Sequence, residues 1–376
     1  MSDARSLFQC MPIERVAPQG EAARCRVAMV AASLEILGGQ GVQAVSLMEG
    51  LRAEGHEVCF LPINPPFPPG FRWLRRVPYL RTAVNQLLYL PSLWRLRRAD
   101  VVHVFSASYW SFLLAPVPAM LAAKCLGKRV ILNYHSGEAD DHLRHWGKRV
   151  HPWLRLADEI VVPSPYLKAV FAQHGYHTRV IRNVVDTARF AYRERVPLRP
   201  HLLSVRNFEP HYRVGDTIEA YTLLRQRYPD ATLTLAGYGS EEAQLRKLVD
   251  SRGGGGVRFL GRVAPASLHQ VYTAADVFVN SSAIDNQPVS VLEACASGLP
   301  VVSTPVGDIP AMLHNGAAGV LVPPSNPAAM AEAIAALIED PARTLSITRR
   351  ARAEVERYTW PRIRRHWLTA YNGGRA

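Results

Sequence analysis

Two acids, Asp285 and Glu293, stand eight residues apart in SSAIDNQPVSVLEACASGLPVVSTPVGDIP (281–310), a stretch otherwise composed like buried core. Carried on one helix they would be about 12 Å apart, too far to share one atom, so they suit two parts of one long ligand. Pro288 fits the first position of a helix, Gly298 fits just past its end, and the apolar spacing of PVSVLEACAS predicts a helix over 288–297. Its free amides, near Val289 and Ser290, then face the space beside Asp285, where the helix dipole favours an anion such as phosphate. The simpler reading has Asp285 capping the helix and Glu293 solvated on its surface, and the rest of the chain decides between the two.

Residues suited to phosphate recur at the ends of other predicted elements. Gly38, Gly39 and Gly41 fall between the first strand and its helix, where glycine lets the backbone approach a ligand, although their spacing matches neither common nucleotide fingerprint. In the second half Arg206 follows a strand, Arg213 opens the next helix, and Gly237 and Gly239 follow another strand. All converge on the N-terminus of the 288–297 helix. The five cysteines, Cys10, Cys25, Cys59, Cys125 and Cys295, are scattered and form no CxxC pair, which argues against a disulfide framework and a zinc site. No Asp-x-Asp motif offers to hold a divalent ion, so no metal is expected.

The elements that position these residues alternate. Apolar runs of strand length at 26–32, 57–63, 101–105, 129–135, 159–164 and 178–183 are separated by helical stretches, which is repeated βα and hence a parallel sheet covered on both faces. A polar, proline-containing joint, DTARFAYRERVPLRP (186–200), interrupts the pattern. It restarts with strands at 201–207, 232–239, 257–261, 277–282, 301–305 and 319–324, between helices predicted at 213–227, 241–250, 266–274 and 327–338. The fold class is α/β, with two Rossmann-like doubly wound parallel-sheet domains facing across a cleft. Ligands of such sheets bind at the carboxyl ends of the strands. The expected organisation is a mobile tail (1–23) without the apolar core of a signal peptide, domains at 24–190 and 191–355, and a C-terminal helix (356–376) returning to the first domain.

With 376 residues, 48% apolar and 20% charged, the chain has the composition of a soluble globular protein rather than a disordered one. The scattered cysteines and the lack of a signal fit a reducing cytoplasm. Net charge is +13, and arginine dominates the basic residues throughout, so single arginines carry little information. A cluster carries more. No acid occurs between Glu57 and Asp100, while Arg72, Arg75, Arg76, Arg81, Arg95, Arg97 and Arg98 alternate with Trp73, Tyr79, Leu87, Leu88, Tyr89, Leu90 and Trp94. This stretch reads either as two amphipathic helices covering the domain or as a surface for an anionic membrane at the inner face of the cytoplasmic membrane. No nucleic-acid-binding pattern accompanies it, so no nucleic acid partner is expected. The uncharged run 101–123 is long enough to span a bilayer, but Pro116, Pro118, His103 and its serines favour strand, helix, strand.

Taken together, the motifs GGQG (38–41), GHEV (55–58), VVPSPYLKAVF (161–171), VIRNVVDTARF (180–190), LAGYGSEEAQL (235–245), VRFLGRV (257–263), LEACASGLPVVSTPVGDIP (292–310), GVLVPPSNPAAMAEAIAALIED (319–340) and YTW (358–360) resemble the retaining GT-B glycosyltransferases of family 4. The resemblance implies transfer of a sugar from a nucleoside diphosphate sugar, UDP- or GDP-linked, to a glycan or lipid-linked acceptor, with retention of configuration and without metal or cofactor. It implies that Glu293 binds the ribose hydroxyls, and that Asp285 with the amides following it, through Asn286, Gln287, Val289 and Ser290, holds donor sugar and diphosphate. Gly39, Gly237, Gly239 and Val263 fall in the donor site on the same ground. Arg206 and Arg213 match the family's Arg and Lys that neutralise the leaving diphosphate, and His135, in NYHSG, matches the histidine facing the donor sugar.

Departures are visible too. Asp285 stands where the family has Glu, DNQPVS replaces a glycine-rich EGFGLV, Arg213 replaces Lys, and Val214 replaces Gly. The same fold admits a nucleotide-sugar epimerase, and the Asp285 substitution admits a non-catalytic nucleotide-sugar binder.

Overall fold

The computed structural model describes residues 25–33, 39–67, 70, 73, 77–106 and 108–373. The expected tail (1–23), Gly38, Arg72, Arg75 and Arg76 lie outside the described residues.

Twelve strands form two six-stranded parallel sheets. The first contains β1 (Arg26–Ala31), β2 (Glu57–Pro62), β3 (Val101–Ser106), β4 (Arg129–Tyr134), β5 (Glu159–Val162) and β6 (Arg179–Val180), in the order β2-β1-β3-β4-β5-β6. The second contains β7 (His201–Val205), β8 (Thr232–Ala236), β9 (Val257–Gly261), β10 (Val277–Asn280), β11 (Val301–Ser303) and β12 (Val320–Leu321), in the order β12-β11-β10-β7-β8-β9. Two doubly wound domains were expected, and two are found. In each sheet the strand order reverses beside the first strand, between β1 and β3 and between β7 and β10. The loops leaving a reversal point diverge to opposite faces and open a crevice at the carboxyl ends.

Strands buried on both faces need continuous apolar runs, which is how VVHVFS and VFVN read. Val102, Val104 and Leu132 pack on one face of the first sheet, whereas Val27, Met29 and Ile131 pack on the other. Into that second layer comes the helix Trp360–Tyr371, through Ile363, Trp367, Ala370 and Tyr371. The Tyr371 hydroxyl meets His103 Nδ1 at 2.9 Å, and Arg364 pairs with Glu54 at 2.7 Å. Gly50 makes room for the Trp360 ring, since a Cβ there would stand 2.5 Å from it. The helix Trp360–Tyr371 thus covers the first domain.

Residues 101–123 fold as strand and helices: β3, then Tyr109–Leu114 and Pro116–Cys125. Among the described residues no helix is long and apolar enough to cross a membrane. One helix escapes the apolar pattern altogether. Ala139–Leu154 buries Ala139, His142, Leu143, Gly147 and Val150, a face with too few large apolar residues to announce itself.

Trp367 is 3% exposed and joins the C-terminal helix to the first sheet. Trp367→Ala is expected to destabilise the protein by about 3–5 kcal/mol, the usual cost of removing a large buried aromatic, as read from urea denaturation.

Candidate active site

The opening pair of acids lies where the two crevices meet. The predicted helix forms as Val289–Ala296, with Pro288 extended at its N-cap rather than inside it, and Gly298 at φ +74° just beyond its end. The first internal bonds reach Pro288 O from Val291 and Leu292, so the amides of Val289 and Ser290 precede them. Both residues line a cavity of about 180 Å3 between the domains. The first domain contributes Gly39, Val42, Ser46, Val184 and Val185, and the joint contributes Asp186, Arg189 and Phe190. The second contributes Arg206, Tyr212, Gly237, Tyr238, Arg262, Val263, Val289, Ser290 and Glu293, among others.

Glu293 is no solvated helical acid. It is 4% exposed, and Oε2 accepts a hydrogen bond from the Tyr272 hydroxyl at 2.7 Å. Burial raises its carboxyl to about 7, against the pull of the Tyr272 hydrogen bond and of Arg189 and Arg206. A buried carboxylate facing a cavity has unused acceptor capacity, which vicinal hydroxyls satisfy well.

Arg206 leaves β7 into the same cavity. Its Nε donates to Asn280 Oδ1 at 2.7 Å, its Cζ lies 5.1 Å from the Tyr212 ring centroid, and its Nη2 stands 2.6 Å from Asp285 Oδ2. Both side chains of that ion pair are 10% exposed. The contact is close, but its angles are not those of a hydrogen bond, and neither atom has another partner among the described residues. Charge attraction therefore holds a pair whose hydrogen-bonding capacity remains available. Arg213 is placed differently. It caps the helix Val214–Arg227 at φ +49°, is 40% exposed along its side chain, and is bound to Asp216 through Nε and Nη2 at 2.7 and 3.2 Å. It does not line the cavity.

Asn286 and Gln287 turn toward the first domain. Asn286 Oδ1 accepts from Ser164 Oγ at 2.5 Å, and its Nδ2 donates to His135 O at 3.4 Å. Gln287 accepts from Asn183 N at 2.8 Å and donates to Pro163 O and Asp308 Oδ2, each at 2.8 Å. Their side chains fasten one domain to the other, and the expected donor contact through them falls to the backbone.

His135 Nε2 is buried without a partner among the described residues, the ring stacks on Phe105 at 5.3 Å, and burial lowers its pKa to about 4. Its ring adjoins a smaller recess with Gln43, Asn133 and Asn183, not the cavity of Glu293. Gly237 and Gly239 serve close packing. A Cβ on either would collide with the backbone of Arg206 or Phe208, so these glycines let the β8 loop lie against the β7 loop. Arg189, Arg262, Tyr238, Tyr272 and Asn280 were not singled out from the sequence. All but Tyr272 lay inside or beside a quoted motif, but one arginine among so many gives no separate signal. Among the described residues no group of three or more metal-ligating side chains is placed to hold an ion.

Because the folded carboxyl of Glu293 is raised above its ordinary 4.5, the native state holds a proton that the unfolded chain releases earlier. Its stabilising contribution is full below pH 4.5 and is lost as pH rises through about 7. Asp308, raised by burial to about 6, acts in the same sense at lower pH. Glu293→Gln should therefore remove on the order of 3 kcal/mol of the stability lost between these limits, measured as the difference between wild-type and variant denaturation curves across pH.

The family model described as Glycosyltransferase Family 4 matches residues 37–189, and that described as Glycosyl transferases group 1 matches residues 191–354. Glycogen synthase of Mycobacterium tuberculosis (strain ATCC 25618 / H37Rv) is 31% identical over 280 residues, covering 70% of this chain and 65% of that one. The chain thus spans just under two thirds of that relative. Phosphatidyl-myo-inositol mannosyltransferase of Mycolicibacterium smegmatis is 26% identical over 368 residues, covering 92% and 93%. Anabaena Alr3699/HepE, solved in complex with UDP-glucose, superposes with a TM-score of 0.71 at 18% identity, over 93% of this chain and all of that one. With two opposed doubly wound domains, a cleft between them and a glycosyltransferase family model matching each half, the chain belongs to the GT-B glycosyltransferases and resembles their family 4.

Proposed function

We propose that the protein transfers a sugar from a UDP- or GDP-sugar to a hydroxyl of a glycan or lipid-linked acceptor, with retention of anomeric configuration and without a metal ion. The observation that carries this reading is the cavity in which Glu293 and Arg206 flank the amides of Val289 and Ser290. The relatives named as sugar transferases and the HepE complex with UDP-glucose support it.

Cleavage of the bond between the anomeric carbon and the phosphate oxygen leaves the electron pair on the diphosphate. The acceptor oxygen bonds to the carbon, and its proton passes to the departing phosphate oxygen. Negative charge grows where the bond breaks, so preorganised donors there lower the barrier. Arg206, with Arg189 and Arg262 around the cavity and the free amides of Val289 and Ser290, supplies that charge. Arg213 joins them by exchanging Asp216 for phosphate. Glu293 takes the ribose hydroxyls, while Asp285, held on Arg206, faces the sugar. His135, neutral by burial, borders the adjoining recess and adds no charge to the cavity.

The segment Pro78–Arg98 supports a membrane-borne acceptor in this reading. Tyr89, expected at the surface, is instead fully buried and donates to Ala115 O at 2.8 Å, because it anchors the helix Pro78–Ser92 to the domain. The opposite face carries Leu80, Leu87, Leu90 and Trp94, at spacings of one helical face. Leu87 is 73% exposed, Trp94 63% and Tyr79 92%, beside Arg81, Arg95, Arg97 and Arg98. Exposed apolar residues at helical spacing, ringed by cations, suit the interface of an anionic bilayer and hence a membrane-borne acceptor.

Arg206→Ala should lower kcat tenfold to a thousandfold with nucleotide-sugar donors, as loss of one charge-stabilising donor does. Near-normal turnover would remove Arg206 from the leaving-group role. For the membrane face, Arg81, Arg95, Arg97 and Arg98 changed together to Gln should release the protein from phosphatidylglycerol vesicles at low salt and leave nucleotide affinity intact. Equal binding to neutral and anionic vesicles would refute the electrostatic attachment.

A further inference from the structure

A second set of side chains adjoins the cleft on the first domain and has no part in the donor cavity. Gly137 lies against the Asp285 backbone, so closely that a Cβ would stand 2.9 Å from its carbonyl carbon. Glu138 follows and caps the helix Ala139–Leu154, which runs outward from that contact. In its first turn Asp141 accepts a 2.5 Å hydrogen bond from the Tyr109 hydroxyl. Further out, Trp146 takes Trp110 edge to face, with centroids 5.3 Å apart and planes at 89°, and Tyr109 at 5.6 Å. Trp110 is 60% exposed yet held in place by this packing. At 1.5 Å per residue, Trp146 stands about 13 Å along the helix from Gly137, a distance that a short oligosaccharide spans.

Glu138 is half-buried, and its carboxylate has no ion-pair or hydrogen-bond partner among the described residues. It lies between the two domains. Tyr109 is held above its ordinary range by burial, by Asp141 and by the charge of Glu138. Tyr212, across the cleft, is raised by burial, by Asp285 and, more weakly, by the same Glu138. A fixed exposed aromatic ring and an unpartnered carboxylate suit a sugar: the ring covers the C–H face of a pyranose, and the carboxylate accepts from hydroxyls.

We propose that Trp110 and Glu138 form the acceptor subsite, in which Glu138 holds a hydroxyl of the sugar next to the donor and Trp110 stacks on a pyranose further along a neutral oligosaccharide. This rests on the glycosyl-transfer reading and deepens it. The unpartnered carboxylate of Glu138 disfavours acidic sugars, whereas Asp140 and Asp141 are already paired with Arg144 and His145. The shared ligand chemistry is the neutral glycan, whether free or lipid-linked.

The test uses the full chain saturated with UDP and a panel of neutral trisaccharides built from glucose, mannose, galactose or N-acetylglucosamine, read by saturation-transfer NMR. Wild type should bind at least one member, Trp110→Ala should weaken that binding at least tenfold, Trp110→Phe should restore part of it, and Glu138→Gln should weaken it severalfold. UDP affinity of each variant checks that the cleft is folded. The proposal is overturned if wild type with bound UDP takes none of the panel, or if Trp110→Ala binds trisaccharide as wild type does. Trp110→Ala that loses anionic vesicles but keeps trisaccharide also overturns it, assigning Trp110 to the membrane face. Failure of wild type to bind any nucleoside diphosphate would instead remove the underlying function. A dodecyl glycoside of the bound trisaccharide, presented in vesicles, separates the two supporting outcomes: tighter binding identifies a lipid-linked acceptor, and equal binding a free glycan.

Discussion

Gln287 makes hydrogen bonds to three segments at once, Asn183 after β6, Pro163 after β5 and Asp308 after β11, and the position of the proposed reaction centre depends on it. All these groups are buried, so each bond that failed would leave a polar atom without water. The cost of separating them fixes the loop 285–287 against the first domain. Asn286 adds Ser164, and Asn183 Nδ2 donates back to Gln287 O at 2.8 Å. The helix N-terminus at Val289 is therefore located by the first domain as much as by its own sheet.

This constraint explains the departure from the glycine-rich stretch of the family. Glycines there would leave the loop free to approach a ligand; Asn286 and Gln287 commit it to the opposite domain. Close approach is supplied from outside the loop instead. Gly137 and Gly307 both pack on the Asp285 backbone, and Gly307, at φ +59°, would be strained as well as crowded with any side chain. With its backbone held on both sides, Asp285 needs only its short side chain to reach Arg206.

The alternating strands and helices were legible because parallel strands buried on both faces have to be continuous apolar runs, and all twelve appear within a few residues of their expected limits. Ala139–Leu154 was not, since Ala139, His142 and Gly147 interrupt Leu143, Val150 and Leu154 on its inner face, and Pro152 near its end reads as a breaker. The site was legible in part. Residue types at strand ends located Arg206 and Gly237, and Pro288, Gly298 and the apolar spacing between them located the helix that carries Glu293. Pairwise commitments made only in three dimensions were not: Arg213 to Asp216, Gln287 to Asn183, Tyr272 to Glu293. Local pattern reports which face a residue is on, but not which of several polar partners it meets.

Glu293 and Asp285, alike in sequence, end in opposite electrostatic surroundings. Asp285 has a guanidinium within 2.6 Å, whereas Glu293 has a neutral phenol as its nearest partner and is raised by burial. A carboxylate already paired with a cation offers little net charge to a ligand, and its effect is to orient that cation. A buried carboxyl without a cation paired to it exchanges hydrogen bonds with neutral hydroxyls and offers nothing to neutralise a phosphate. In the proposed function the two acids would sort a nucleotide sugar along its length, with hydroxyls at Glu293 and the diphosphate toward Arg206 and the amides of Val289 and Ser290, so that the polarity of the ligand would follow from which acid has an arginine.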